Sequence, residues 1–229
     1  MFGKLLRYFA PESIPGFAVE LYDEVARTVK DIYYRRVALE IVAFIDHGKL
    51  LDLGTGPGYL PIEIVKLAPC IRIDAVDSSK KMIEKARRNA AEAGVSNEID
   101  FHLGNANKLR VANSTYDMIV STGAFHAWKR PERVIAECYR VLKPGKDVWI
   151  YDPAQISTEK TLKLCQEQNK SGWGRIACKW ASSTASTSGR TVSQTHEMLS
   201  RTSFTNYQIE HRQGEIKITL KKDWGGIER

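Results

Sequence analysis

The stretch LLDLGTGPG, residues 50–58, decides the fold. Its first half is a short apolar run interrupted by one acid, Asp52, the pattern of a parallel strand buried on both faces. Its second half carries glycines at alternate positions, Gly54, Gly56 and Gly58. Glycine permits the left-handed backbone of a sharp turn and removes the Cβ that would hold a ligand away from the main chain. A strand running into such a turn, with an apolar helical segment (58–68) behind it, opens a strand–loop–helix ligand site. The spacing is G-x-G-x-G, whereas dinucleotide sites favour G-x-G-x-x-G, which argues against a nicotinamide-dependent oxidoreductase.

Downstream, residues 71–76 form a second strand that ends at Asp77, twenty-three positions beyond Gly54. In a doubly wound sheet the first two strands are neighbours. Asp77 is therefore expected beside the glycine loop, where it can accept hydrogen bonds from both hydroxyls of a ribose. A helix over 79–93 closes at Gly94, strands follow over 98–103 and 116–121, a helix runs from Pro131 to Leu142, and a fifth strand covers 147–151. Upstream, Val37, Ile41 and Ile45 share a helical face with Ala38 and Val42, and two helices are read over 17–45 with Lys30 and Asp31 near their junction. The alternation of strands and helices predicts an α/β fold, a parallel sheet with helices on both faces. Past Asp152 the rhythm changes. Residues 157–168 read as a helix, 181–188 as a Ser/Thr-rich stretch, and 192–202 as a helix opened by a Thr191–Gln194 capping box. Strands over 205–211 and 215–221 form a closing hairpin. The whole reads as one domain: a helical cap (1–46), a core (47–152), an insertion over the substrate side (153–203) and the hairpin (204–222).

Composition sets the class. With 229 residues, 43% hydrophobic and 27% charged, the chain suits a single globular α/β domain. The net charge of +7 is spread without a dense Lys/Arg block, so a nucleic-acid groove is not indicated, although a general attraction to anions is. Four scattered cysteines form no C-x-x-C pair. Cys70 and Cys138 read as small core residues, while Cys165 and Cys178 are candidates to face a substrate. No secretory signal or membrane span is apparent, so a cytoplasmic setting is expected.

Taken in order, LDLGTGPG (51–58), VDSSKKM (76–82), YDMIVS (116–121) and RVLKPG (140–145) resemble the successive motifs of class I S-adenosylmethionine-dependent methyltransferases. The style is that of the small-molecule branch containing ubiquinone/menaquinone C-methyltransferases. The resemblance implies a Rossmann-like seven-stranded, mostly parallel sheet with an antiparallel last strand and an N-terminal helical cap. It implies S-adenosyl-L-methionine as cofactor and a small-molecule methyl acceptor as partner. It also implies residue roles: Asp52, Gly54, Thr55, Gly56 and Gly58 around the methionine part, Asp77 on the ribose, Ser78 and Met82 flanking the adenine. Asn105 and Ala106 stand where the family has Asp-Ala; the Asn105 amide oxygen can accept a bond from the adenine amino group. Ser121 and Thr122 would lie near the sulfonium.

The segment STGAFHAW (121–128) leaves the fourth strand toward the departing methyl group. His126 is the candidate general base, since a neutral imidazole can take a proton near pH 7. Asp152, after the fifth strand, either positions substrate or caps the next helix. Tyr22, Tyr33, Tyr34, Trp173 and Trp180 are candidates to line an acceptor pocket, no metal is called for, and a homodimer is allowed. RNA methylation and a cofactor-binding module without activity stay open beside the small-molecule reading.

Overall fold

The computed structural model describes residues 19–153, 191–212 and 215–224. The chain begins with α1 (Val19–Val29), a π-helical turn (Lys30–Tyr34) and α2 (Arg35–Val42). Then come β1 (Gly48–Leu53), α3 (Tyr59–Leu67), β2 (Ile71–Asp77), α4 (Lys80–Glu92), β3 (Ile99–Leu103) and β4 (Tyr116–Thr122). A 3-10 turn (Phe125–Ala127), α5 (Pro131–Val141) and β5 (Leu142–Pro153) complete the parallel part. After the segment 154–190, α6 (Val192–Leu199), β6 (Asn206–Arg212) and β7 (Glu215–Lys221) close the chain. The expectations for residues 157–168 and 181–188, and for Cys165, Trp173, Cys178 and Trp180, fall outside the described residues.

The strands form one sheet in the order β3-β2-β1-β4-β5-β7-β6. Strands β1 to β5 run parallel, and β7 lies antiparallel between β5 and β6. The reversal of strand order falls between β1 and β4, the place where open α/β sheets hold ligands beyond the carboxyl ends of their strands. β1 is central and its residues 50–53 are all buried, as expected of an apolar run hidden on both faces, with Asp52 the one acid drawn in. Successive side chains alternate between faces. Leu50 joins a core with Val37, Ile41, Ile64, Ile83 and Tyr151. Leu51 joins a second core with Ile119, Ile135, Leu199 and Ile218. Burial on both faces of the sheet makes the expected architecture the only one that hides both sets.

Local signals place the boundaries. Ser79 accepts from the Met82 backbone N–H to start α4, and Gly94 at φ 72° follows its end. Thr191 and Gln194 form the capping box of α6 reciprocally. Two expectations need correction. β5 begins at Leu142, pairing with Tyr116, rather than at 147, because the Lys-Pro-Gly turn is absorbed as a register shift in the strand. Cys70 is exposed in the turn ahead of β2, whereas Cys138 is buried in α5; a residue just outside a strand has no face to bury. Among the described residues no helix is long and apolar enough to cross a membrane.

Candidate active site

The glycine loop hangs from the carboxyl end of β1. Gly54 and Thr55 both donate backbone N–H bonds to Val76 O, 2.8 and 3.1 Å, so the loop stays zipped to β2 for two residues past the strand. Gly54, Gly56 and Gly58 have φ of 74°, 55° and 80°, a region in which other residues are strained. At Gly54 a Cβ would lie 2.5 Å from that of Ala124, so strand exits β1 and β4 touch through the missing side chain. No side chain caps the start of α3.

Two carboxylates flank this loop, and their surroundings differ. Asp77 accepts from Gly56 N–H at 2.9 Å through one oxygen and from Ser79 N–H at 2.8 Å through the other. Burial raises its pKa, and the backbone donors at Ser79, Gly56 and Ser78 pull against that rise. Asp77 is thus a clamp between the loop and the start of α4, and the lone pairs left over are what it can offer a ribose. Asp52 is 1% exposed, and among the described residues neither of its oxygens has a hydrogen-bond partner; the buried Thr55 hydroxyl beside it lacks one there as well. Burial pushes the Asp52 carboxyl up to about 7; the nearby Thr55 hydroxyl moderates the rise and the Asp77 charge adds to it. A buried acid without donors is costly unless something positive meets it. An ammonium-bearing sulfonium compound supplies that charge, and the bare loop leaves room for its approach. The residues present fit S-adenosylmethionine.

The other expected cofactor contacts are placed unevenly. Met82 is buried (1% exposed) in α4, and Ser78 is exposed at the end of β2. Asn105 turns its amide oxygen back on its own loop, where Asn107 donates to it twice, from N and Nδ2, each at 2.8 Å. Both lone pairs are therefore engaged before any adenine arrives. Ala106 follows in the same loop, partly buried against the second core. Ser121 is fully buried and donates to Leu53 O at 2.8 Å, stitching β4 to β1. Its hydroxyl serves the sheet, while Thr122 is buried at the strand end.

On the β4–β5 side, His126 sits on the 3-10 turn and its Nδ1 lies 3.0 Å from Asp152 Oδ1; Asp152 is 2% exposed. The two candidate catalytic residues, read separately in the sequence, form a pair. Tyrosines of the N-terminal helical segment stand near both loop acids, Asp52 and Asp77. The Tyr22 ring lies 3.7 Å from where a Cβ on Gly56 would stand. Burial raises the hydroxyls of Tyr22, Tyr33 and Tyr34; Asp77 and Asp152 add to this at Tyr22, Asp152 at Tyr33 and Asp52 at Tyr34.

Pattern reading missed the latch that holds this cap. Asp23, 1% exposed, accepts from Tyr59 Oη (2.7 Å), Arg27 (2.8 Å) and Asn89 Nδ2 (3.4 Å), and pairs with Lys85 at 3.0 Å. Asn89 also donates to Pro57 O at 2.8 Å, inside the glycine loop. The signal available in sequence was Asp23 on the inward stripe of an amphipathic helix, which demands a partner. A second tether joins the cap to the hairpin: Arg36 meets Glu215 at 2.5 Å, while Lys217 and Arg212 meet Glu40 at 2.5 and 2.9 Å.

Comparison with known proteins agrees with this geometry. Residues 50–145 match the family described as "Methyltransferase domain". The chain is 39% identical over 109 residues to 2-methyl-6-phytyl-1,4-hydroquinone methyltransferase 1 of Oryza sativa subsp. japonica, covering 47% of this chain and 32% of the rice protein. It is 31% identical over 127 residues to the demethylmenaquinone methyltransferase of Thermotoga maritima, covering 54% of this chain and 53% of that one. The chain thus spans between about a third and a half of these curated relatives. In fold it is similar to a Methanococcus maripaludis protein assigned as an S-adenosyl-L-methionine-dependent methyltransferase, with TM-score 0.74, 24% identity, and 93% and 95% of the two chains covered. Glycine cradle, uncompensated Asp52 and matched segment coincide: residues 50–145 are similar to the methyltransferase domain family, and the surrounding fold is that of its solved neighbours.

Proposed function

We propose that this protein transfers a methyl group from S-adenosylmethionine to a small-molecule acceptor. The observation that carries the reading is Asp52: a buried carboxylate below a bare glycine loop, with both oxygens unpartnered among the described residues, is a site suited to a cation. In this reading Asp52 and the Gly54–Thr55–Gly56 backbone hold the methionine part. Asp77 holds the ribose with the capacity its backbone donors leave. Ser78, Met82 and Ala106 border the adenine, with Asn105 reduced to shaping its own turn. The bound cofactor supplies an activated methyl on a sulfonium, so the protein's task is to hold the acceptor in line with it and to exclude water.

The acceptor side is assigned to the β4–β5 exits under Tyr22, Tyr33 and Tyr34. The named relatives act on a hydroquinone and a menaquinone precursor, which supports a small, ring-bearing acceptor over RNA. We place the enzyme in the cytoplasm on its scattered cysteines, and Cys138 is a buried free thiol. Calorimetry with S-adenosylmethionine tests the cofactor half: micromolar binding is expected, and no binding by the full chain overturns it. Incubation with a small-metabolite extract and methyl-labelled cofactor tests the rest. Label is expected in a small organic product, and label found in RNA alone would reverse the choice of acceptor.

A further inference from the structure

We propose that Asp152 is a positioning residue that fixes His126 with its ring proton on Nδ1, so that Nε2 accepts the proton displaced from the methyl acceptor. This deepens, and rests on, the methyl-transfer reading. It narrows the acceptor to a molecule that carries a proton on its attacking atom.

The pair is built by two adjacent strands. Thr122 of β4 faces Tyr151 of β5, and Gly123 N–H extends the ladder to Tyr151 O at 2.7 Å. The chain then bends at Gly123, φ 64°, into the single turn that carries His126. Phe125 and Trp128 nail this turn down from both sides; they are 1% and 8% exposed, with rings edge-to-face at 5.4 Å. A residue on so constrained a turn has few places to put its ring. Asp152, 2% exposed, receives it at 3.0 Å.

The chemistry follows from donor and acceptor inventory. A carboxylate oxygen is an acceptor, so in the proposed arrangement the imidazole nitrogen facing it donates, and the neutral ring then carries its lone pair on Nε2. Among the described residues, other titratable groups bear on this pair. Tyr22 of α1 and Tyr33 of the π-helical turn sit within the influence of Asp152, and both hydroxyls are held protonated by burial. Glu215 of β7, opposite Pro153, is engaged by Arg36 at 2.5 Å. The remaining histidines stand on other elements: His47 ahead of β1, His102 on β3, His196 on α6 and His211 on β6.

In the proposed step the acceptor atom X of an X–H group forms the X–CH3 bond as the C–S bond to the sulfonium breaks, its electron pair remaining on sulfur. The X–H proton passes to His126 Nε2, and the imidazolium formed is stabilised by the Asp152 carboxylate. A hydroxyl, an amine N–H or an acidified C–H can use this path. A thioether or a tertiary amine has no proton to give.

The test is nitrogen-15 NMR of the full chain with S-adenosylhomocysteine added, on wild type and Asp152→Asn. In the wild type, Nδ1 of neutral His126 is expected to carry the proton and Nε2 the lone pair. Asp152→Asn is expected to abolish that preference and lower the His126 titration midpoint by about one unit, the scale of a lost ionic partner. A wild-type ring protonated on Nε2 overturns the proposal, as does a variant with unchanged tautomer and midpoint. The wild-type tautomer decides even if the variant fails to fold. Calorimetry of S-adenosylhomocysteine on the same samples keeps two failures apart. Lost binding in the wild type sinks the methyltransferase reading; retained binding with the wrong tautomer sinks only the pair.

Discussion

Asp52 and Asp152 end two strands of the same sheet, are 1% and 2% exposed, and differ in one respect. Asp152 has an imidazole against it, while Asp52 has only the Thr55 hydroxyl near it and, among the described residues, no hydrogen-bond partner. Equal burial with unequal satisfaction separates two kinds of functional acid. The satisfied one belongs to machinery assembled in advance, and the unsatisfied one waits for a ligand to complete it. Asp77 lies between them in character, half-buried and committed to backbone donors in its own loop.

The largest effect expected on this contrast comes from the cradle that gives Asp52 its ligand. Gly54→Ala places a Cβ 2.5 Å from that of Ala124 at φ 74°. Strain and overlap of about 2–4 kcal/mol are expected, with at least a hundredfold loss of S-adenosylmethionine affinity by calorimetry. Binding within tenfold of wild type would show that the loop does not shape the site. Next, Asp77→Ala removes charge-assisted bonds to Gly56 and Ser79 and should cost at least tenfold in affinity, at about 1.5–3 kcal/mol for bonds to a charged group. A loss in melting temperature with affinity unchanged would make it a loop clamp alone.

Asp52→Asn sharpens the comparison through pH. With its folded carboxyl pushed up to about 7 against an ordinary 3.8, the native state holds a proton that the unfolded chain gives up. Ligand-free stability therefore falls as pH rises from about 4 through 7, by a few kcal/mol at most. Asp52→Asn should flatten that slope while weakening cofactor affinity about tenfold at pH 8. Because a cationic ligand favours the ionised acid, wild-type binding should tighten with pH and release a proton near pH 6, read by calorimetry in buffers of different ionisation enthalpy. A pH-independent affinity between 5 and 8 would remove Asp52 from the ligand. The smallest effects belong to residues whose polar atoms are already engaged. Ser121→Ala should lose about 1 kcal/mol of stability for its bond to Leu53 O. Asn105→Ala should change affinity less than threefold, and a tenfold loss would restore it to the adenine site.

The sequence was most legible where chemistry is local. A buried strand, three alternating glycines and an acid ending the next strand are patterns a few residues long, and the structure carries them at β1, its loop and Asp77. Asn105 was legible as an amide after the third strand, but its bond to the backbone N–H two residues on, inside its own loop, was not. The pairing of His126 with Asp152, twenty-six positions away, left no trace in spacing. Nor did the embrace of Asp23 by residues up to sixty-six positions distant.

Sequence alone determined the order of strands and helices, the loop that lacks side chains and the acids available near it, because periodicity and backbone freedom are properties of neighbouring residues. Only the tertiary structure decided which of those acids is satisfied. That depends on donors brought in by other strands and by the cap, and a buried charge counts its partners in space rather than along the chain.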